Sequence, residues 1–220
     1  MFTLTNLLIN LLINVPITLI SLTGHEFAHG WVSSKLGDPT PKYEGRLTLN
    51  PFAHLDIIGT ILMILTGFGW AKPVGVNPMY YKDKKKGMAI TAIAGPLANL
   101  IMAFVGMLIG TILYIAGIKL GWNNAVLSRI QMITSLFAVR NLCFMIFNLI
   151  PIPPLDGSRV LGLLVSDRTY FSIMRYEQYS IYLIMALSLL GVFDAVIGTG
   201  VRTVYGAISY IIYAALSALV

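Results

Sequence analysis

Five stretches of this chain, roughly 4–34, 88–117, 127–150, 179–197 and 202–219, are apolar for about the 20 residues that a helix needs to cross the hydrocarbon core of a bilayer. Inside lipid a backbone must satisfy its own hydrogen bonds, so runs of this kind are confined to helices. Composition agrees: 57% of the 220 residues are hydrophobic and 11% are charged, against about 25% charged in soluble domains. The expected fold is an all-α polytopic membrane protein with five to six transmembrane helices. The sixth candidate, Ile57 to Phe68, has about 12 residues, a length that suits a re-entrant or interfacial segment better than a crossing.

Residues 35–86 differ in character. They are rich in Gly and Pro and carry short alternating runs, Arg46-Leu47-Thr48-Leu49 and Pro73-Val74-Gly75-Val76, which predict a small membrane-associated β segment around residues 40–80. Lys35, Lys42, Arg46, Lys72, Lys82, Lys84, Lys85 and Lys86 place this segment on the cytoplasmic side by the positive-inside rule. Loop 151–178, with Arg159, Arg168 and Arg175, falls on the same side, and the opposite loops carry only Lys119, Arg129 and Arg202. The net charge of +6 therefore reads as the basic fringe of a membrane protein. The lipid bilayer is the expected partner, and nucleic acid is not. The lone Cys143 excludes a disulfide framework. Met1-Phe2 opens without the basic region of a cleavable signal, and no internal repeat is evident, so the chain reads as one membrane-embedded domain over 1–220.

Within the first apolar run lies His25-Glu26-Phe27-Ala28-His29. Positions i and i+4 share a helix face, so both imidazoles can hold one Zn²⁺ while Glu26 deprotonates a metal-bound water. Ionisable side chains in a span are costly and usually functional, which weighs against a merely structural polar cluster. A catalytic zinc takes three protein ligands plus water, and Asp156 is the best third candidate. It follows Pro151-Ile152-Pro153-Pro154-Leu155, where the prolines end the preceding helix near Ile150 and offer a carboxylate at membrane depth. The competing reading of Asp156 is a helix N-cap before Gly157 and Ser158.

Asn6, Asn10, Asn14, Thr18, Ser21, His25 and His29 fall on one face of the first helix, and Thr134, Asn141 and Asn148 repeat every seven residues on a later one. Such stripes can hydrate a metal or position substrate, and they can equally, and at the same time, hydrogen-bond neighbouring helices. Gly95, Asn99, Gly106 and Gly110 read as a close-packing stripe, in which Asn99 can also serve chemistry.

At these residues the chain resembles the site-2 protease family of intramembrane zinc metalloproteases, in its small bacterial and archaeal form without PDZ or CBS domains. The resemblance rests on His25 to Gly30, Leu49-Asn50-Pro51-Phe52-Ala53-His54-Leu55-Asp56-Ile57-Ile58-Gly59-Thr60, Trp70-Ala71-Lys72-Pro73-Val74, Gly95-Pro96-Leu97-Ala98-Asn99, and Asn148 to Gly157. It implies a catalytic core over about 4–165 with accessory helices over about 179–219. It also implies one zinc per chain on His25, His29 and Asp156, with Glu26 as the base. Lys72 to Asn77 would hold an extended substrate by strand addition, with Pro73, Val74, Gly75 and Val76 at its centre. Asn99 or Asn148 would donate to the oxyanion or to the substrate backbone, and His54 and Asp56 would support the ligands from behind or simply order their loop. The implied substrate is a transmembrane protein or peptide, either a membrane-anchored regulator or a signal-peptide remnant. The implied location is a prokaryotic cell membrane, with the active site towards the cytoplasm. The rival reading is a transporter-like or inactive metal-binding membrane protein that binds transmembrane helices.

Overall fold

The structure is a computed structural model that describes residues 10–66 and 71–217. Among the described residues four helices are long and apolar enough to cross a membrane. The first, α1 (Val15–Lys35), continues directly from a π turn at Asn10–Asn14 and carries Pro16 as its second residue. After the short α2 (Ile57–Thr66) comes α3 (Lys84–Lys119), capped by the Asp83 carboxylate on the Lys86 N–H. A turn with Gly121 at φ +72 reverses the chain into α4 (Asn124–Asn148), capped by Asn123. Three shorter helices follow, α5 (Asp156–Leu161), α6 (Asp167–Arg175) and α7 (Glu177–Leu189), before the last long one, α8 (Val192–Leu216).

This arrangement regroups the apolar runs expected near the C-terminus. Instead of spans at 179–197 and 202–219, the chain breaks at Gly191, whose φ of +69 ends α7 in the left-handed turn that glycine adopts without strain. The 13 residues of α7 reach about 20 Å, short of a crossing, whereas the 25 of α8 suffice. Arg202 consequently lies within α8 rather than in a loop. The 10 residues of α2 reach about 15 Å and likewise fall short; residues 67–70, including the expected Phe68 and Trp70, lie outside the described residues.

The expected β segment is also corrected. The described residues form no strand, only a single antiparallel bridge between Leu55 and Ala71, beside which the Lys72 N–H donates to the His54 carbonyl at 2.8 Å. Prolines and asparagines bend the chain instead. Asn50 and Asn77 cap the one-turn helices Pro51–His54 and Pro78–Tyr80, and buried Arg46 turns inward to the Ala53 carbonyl. Beyond Lys72 the N–H groups of Val74, Gly75 and Asn77 go to the side chains of Glu26, Glu44 and Asp38 rather than to a neighbouring strand.

Long helices approach closely where α3 presents small residues. A Cβ at Gly106 would stand 2.6 Å from Phe137, one at Gly110 2.5 Å from Thr134, and one at Gly24 of α1 2.6 Å from Met102. Behind these contacts Ala103, Met107, Ala138, Leu142, Met145, Val201, Ile208 and Ile212 form the core that α3, α4 and α8 share. The opposite face of α3 exposes Ile90, Ile93, Leu97, Ile101 and Ile109, as a lipid-facing surface must. At the start of α3 the Lys85 ammonium reaches Asp167 at 2.9 Å, so the segment after α4 lies at the same end of the bundle as the loop before α3.

Candidate metal centre

His25 and His29 stand one turn apart on α1, both buried, with their Nε2 atoms 3.0 Å from each other. Asp156, the first residue of α5, comes to them from beyond the end of α4: its Oδ2 is 3.3 Å from each Nε2. Local sequence explains the approach. Once α4 ends at Asn148 the chain doubles back onto it, and a Cβ at Gly157 would lie 2.5 Å from the Leu149 carbonyl carbon, so only glycine fits.

Each imidazole is oriented through its other nitrogen. His25 Nδ1 lies 2.6 Å from Asn99 Oδ1, and His29 Nδ1 lies 2.7 Å from the Thr91 carbonyl. Both partners only accept, so both Nδ1 atoms carry the proton and both Nε2 atoms present lone pairs. Asp156 Oδ2, buried, has no hydrogen-bond partner. Three acceptor atoms thus face one another, all within 4.8 Å. Such a cluster repels itself unless a cation sits among the three, so the donor set fits a metal ion and has the two-imidazole, one-carboxylate chemistry of a catalytic zinc site. Gly95 of α3 keeps the space open, since a Cβ there would stand 2.5 Å from His25 Cε1 and would also collide with His29 Nε2.

Two comparisons bear on what such a cluster belongs to. The model of peptidase family M50 matches residues 108–192, a stretch that contains Asp156. A Bacillus subtilis (strain 168) protein named "Putative zinc metalloprotease YwhC" is 38% identical over 175 residues, 79% of each chain. The chain belongs to peptidase family M50, the site-2 proteases. More distant M50 relatives, both named "Putative zinc metalloprotease Rip2", come from Mycolicibacterium smegmatis, 25% identical over 77% of this chain and 63% of its own, and from Mycobacterium tuberculosis H37Rv, 24% identical over 78% and 64%. No solved structure matches the chain significantly.

The remaining candidates of this M50 chain fall in different places. Glu26 accepts the Val74 N–H on Oε2 at 2.8 Å. Asn99 is fully buried, and its amide hydrogens go to the Ser21 carbonyl at 3.2 Å and to Asn141 Oδ1 at 2.9 Å. With Oδ1 on His25, that leaves Asn99 no hydrogen for a substrate, and its place is behind the imidazole. Asn148 donates to the Phe144 carbonyl of its own helix. Asp56 caps α2 through the Gly59 N–H at 2.8 Å, the ordinary work of a loop carboxylate. His54 is buried against Thr48, whose carbonyl lies 2.9 Å from its Nε2, and its Nδ1 has no partner. Neither His54 nor Asp56 belongs to the group of converging ligand atoms. Pro73 to Val76 run past Glu26, and Gly75 donates to Glu44.

The two polar stripes divide: Asn99 joins the Ser21 backbone carbonyl of α1 to the Asn141 side chain of α4, whereas the side chains of Ser21, Thr134 and Asn148 bond carbonyls of their own helices; Asn6 lies outside the described residues. Sequence reasoning missed the carbonyl of Thr91, because a backbone oxygen leaves no trace in residue type. It took Gly95 as a packing glycine, and the signal that separates it from Gly106 and Gly110 is which side chains it faces.

Proposed function

We propose that this peptidase is an intramembrane zinc metalloprotease, in which His25, His29 and Asp156 hold the zinc and Glu26 is the general base. The observation that carries the reading is the convergence of three acceptor atoms, with both imidazole protons committed elsewhere, on a helix of membrane-spanning length. His25 and His29 lie ten and six residues before the end of α1 at Lys35, about 15 and 9 Å along the helix axis, and this depth supports a site below the lipid surface.

A zinc ion held by His25, His29 and Asp156 would supply Lewis-acid chemistry: a water of near-neutral pKa and polarisation of the scissile carbonyl. Asn99 and the Thr91 carbonyl hold the imidazoles in one tautomer. Glu26, next to His25, takes the proton of the attacking water and returns it to the leaving nitrogen. The Val74 N–H on its carboxylate fixes where that proton is received. A substrate helix hides its carbonyls in its own hydrogen bonds, so it unwinds before attack; the segment Pro73 to Val76 beside Glu26 supports pairing with the freed segment through its carbonyls and the Val76 N–H, because the Val74 and Gly75 N–H groups are taken by Glu26 and Glu44. Asn148, at the end of α4 just before the turn that carries Asp156, contributes to substrate binding.

The charge pattern supports a cytoplasmic active site in a prokaryotic cell membrane. The segment before α3 and the segment around α5 to α7 share one end of the bundle and carry Lys42, Arg46, Lys72, Lys82, Arg159, Arg168 and Arg175. Substrates are then membrane-spanning proteins or peptides cut near their cytoplasmic end. The test is cleavage of a membrane-embedded substrate by purified wild-type and Glu26→Gln protein, with metal content measured alongside. The expected result is one zinc per chain in both and turnover in the wild type alone. Wild-type turnover in Glu26→Gln removes Glu26 as base, and zinc without cleavage in the wild type makes the chain a binder.

A further inference from the structure

Behind His29 a file of buried hydroxyls leads out of the metal centre to the loop that follows α1. The Thr91 carbonyl accepts from His29, and the hydroxyl of the same threonine lies 3.1 Å from Tyr81 Oη. Tyr81 Oη lies 2.7 Å from Ser33 Oγ, and Ser33 donates to Asp38 Oδ2 at 2.7 Å. These four side chains are 3%, 5%, 0% and 1% exposed, so water does not interrupt the file.

Counting hydrogens assigns every direction in it. The Asp38 carboxylate only accepts, and it also takes the Asn77 N–H on Oδ2 at 2.7 Å and the Thr40 N–H on Oδ1 at 2.9 Å. Ser33 has one hydroxyl hydrogen and commits it to Asp38, so it accepts from Tyr81. Tyr81 has then used its own hydrogen and accepts from Thr91. All three hydroxyls point towards one carboxylate, an arrangement in which each bond polarises the next. Gly87 gives the tyrosine ring its place, since a Cβ there would stand 2.6 Å from Tyr81 Cγ.

We propose that Tyr81 is a positioning residue of the metal centre. Through the oriented file Thr91–Tyr81–Ser33–Asp38 it fixes the carbonyl that orients His29. Through Asp38 it ties that carbonyl to the segment 72–77, whose Val74 holds Glu26. If Tyr81 loses its hydroxyl, Thr91 is released to bond the Gly87 carbonyl one turn back, as helical threonines do, and α3 relaxes where it supports His29. The proposal rests on the metal site proposed above and adds to it a support that reaches from the ligand to the substrate-facing segment.

Tyr81→Phe in the full chain keeps the ring and removes only the hydroxyl. Its zinc affinity, read by competition with a chelator, is expected to fall about ten- to hundredfold. The visible absorption bands of the cobalt(II)-substituted protein are expected to shift, and Ser33→Ala added to Tyr81→Phe should change affinity little further, because the file is already cut. A purely structural tyrosine would lower the melting temperature and leave the cobalt spectrum of the folded protein unchanged. Wild-type zinc affinity together with a wild-type cobalt spectrum in Tyr81→Phe overturns the proposal. Should that variant not fold, the near-isosteric Thr91→Val breaks the same file and is read by the same two measurements. Zinc binding that ignores His25→Ala in the wild-type background would instead overturn the metal site itself, so the two failures are distinguishable.

Discussion

The Val74 N–H donates to Glu26 Oε2 at 2.8 Å, so a segment 48 residues further along the chain holds the carboxylate that neighbours His25. A hydrogen bond to a charged group contributes about 1.5–3 kcal/mol. Val74→Pro deletes the donor and is expected to lower kcat/KM about ten- to hundredfold with zinc content intact. Val74→Ala keeps the N–H and should lose much less. Equal losses in the two variants would mean that the side chain, not the backbone donor, matters at this position.

Asn99 bonds His25, Ser21 and Asn141 at once from a fully buried position. Asn99→Ala strands three buried polar groups and is expected to destabilise the bundle by about 1–3 kcal/mol for each group left unsatisfied. It should also weaken zinc binding about ten- to hundredfold by freeing the His25 ring. Thermal melts and chelator competition check the two effects separately.

Gly95→Ala raises intrinsic helix propensity by about 1 kcal/mol yet places a methyl group against both imidazoles. Loss of zinc with helical content unchanged is the expected outcome, by metal analysis and circular dichroism. Gly206→Ala, where a Cβ meets open space in α8, is the control and should retain its metal.

Asp38 predicts an acid limit. Burial alone would raise its pKa, but the Asn77 N–H, the hydroxyl and N–H of Thr40 and the Ser33 hydroxyl outweigh it, and the carboxyl sits below its ordinary value. A depressed carboxylate lends stability above its unfolded pKa of about 4 and loses it as the pH falls through the folded value. The melting temperature should therefore drop on acidification below about pH 4, and less steeply in Asp38→Asn. Identical pH profiles for the two proteins would remove Asp38 as the cause.

Much of this was legible in residue order. The i, i+4 spacing of His25 and His29 needs only a helix, and the prolines before Asp156 end α4 where they stand. Less was legible between the spans. Arg46-Leu47-Thr48-Leu49 alternates as a strand does, yet Arg46 bonds Ala53 and the chain bends, because no strand among the described residues competes for its backbone. At the C-terminus one glycine, Gly191, outweighed hydropathy: it leaves α7 too short to cross and starts the last span at Val192 rather than at 202.

The sequence by itself determined that the chain lives in lipid and where a metal can be held, since apolar length and ligand spacing are local properties. Only the tertiary structure decided which groups stand behind the ligands. Asn99, the Thr91 carbonyl, Gly95 and Tyr81 reach the site from α3 and the loop before it. Their roles come from helix-to-helix contacts between residues dozens of positions apart, and no local pattern records those contacts.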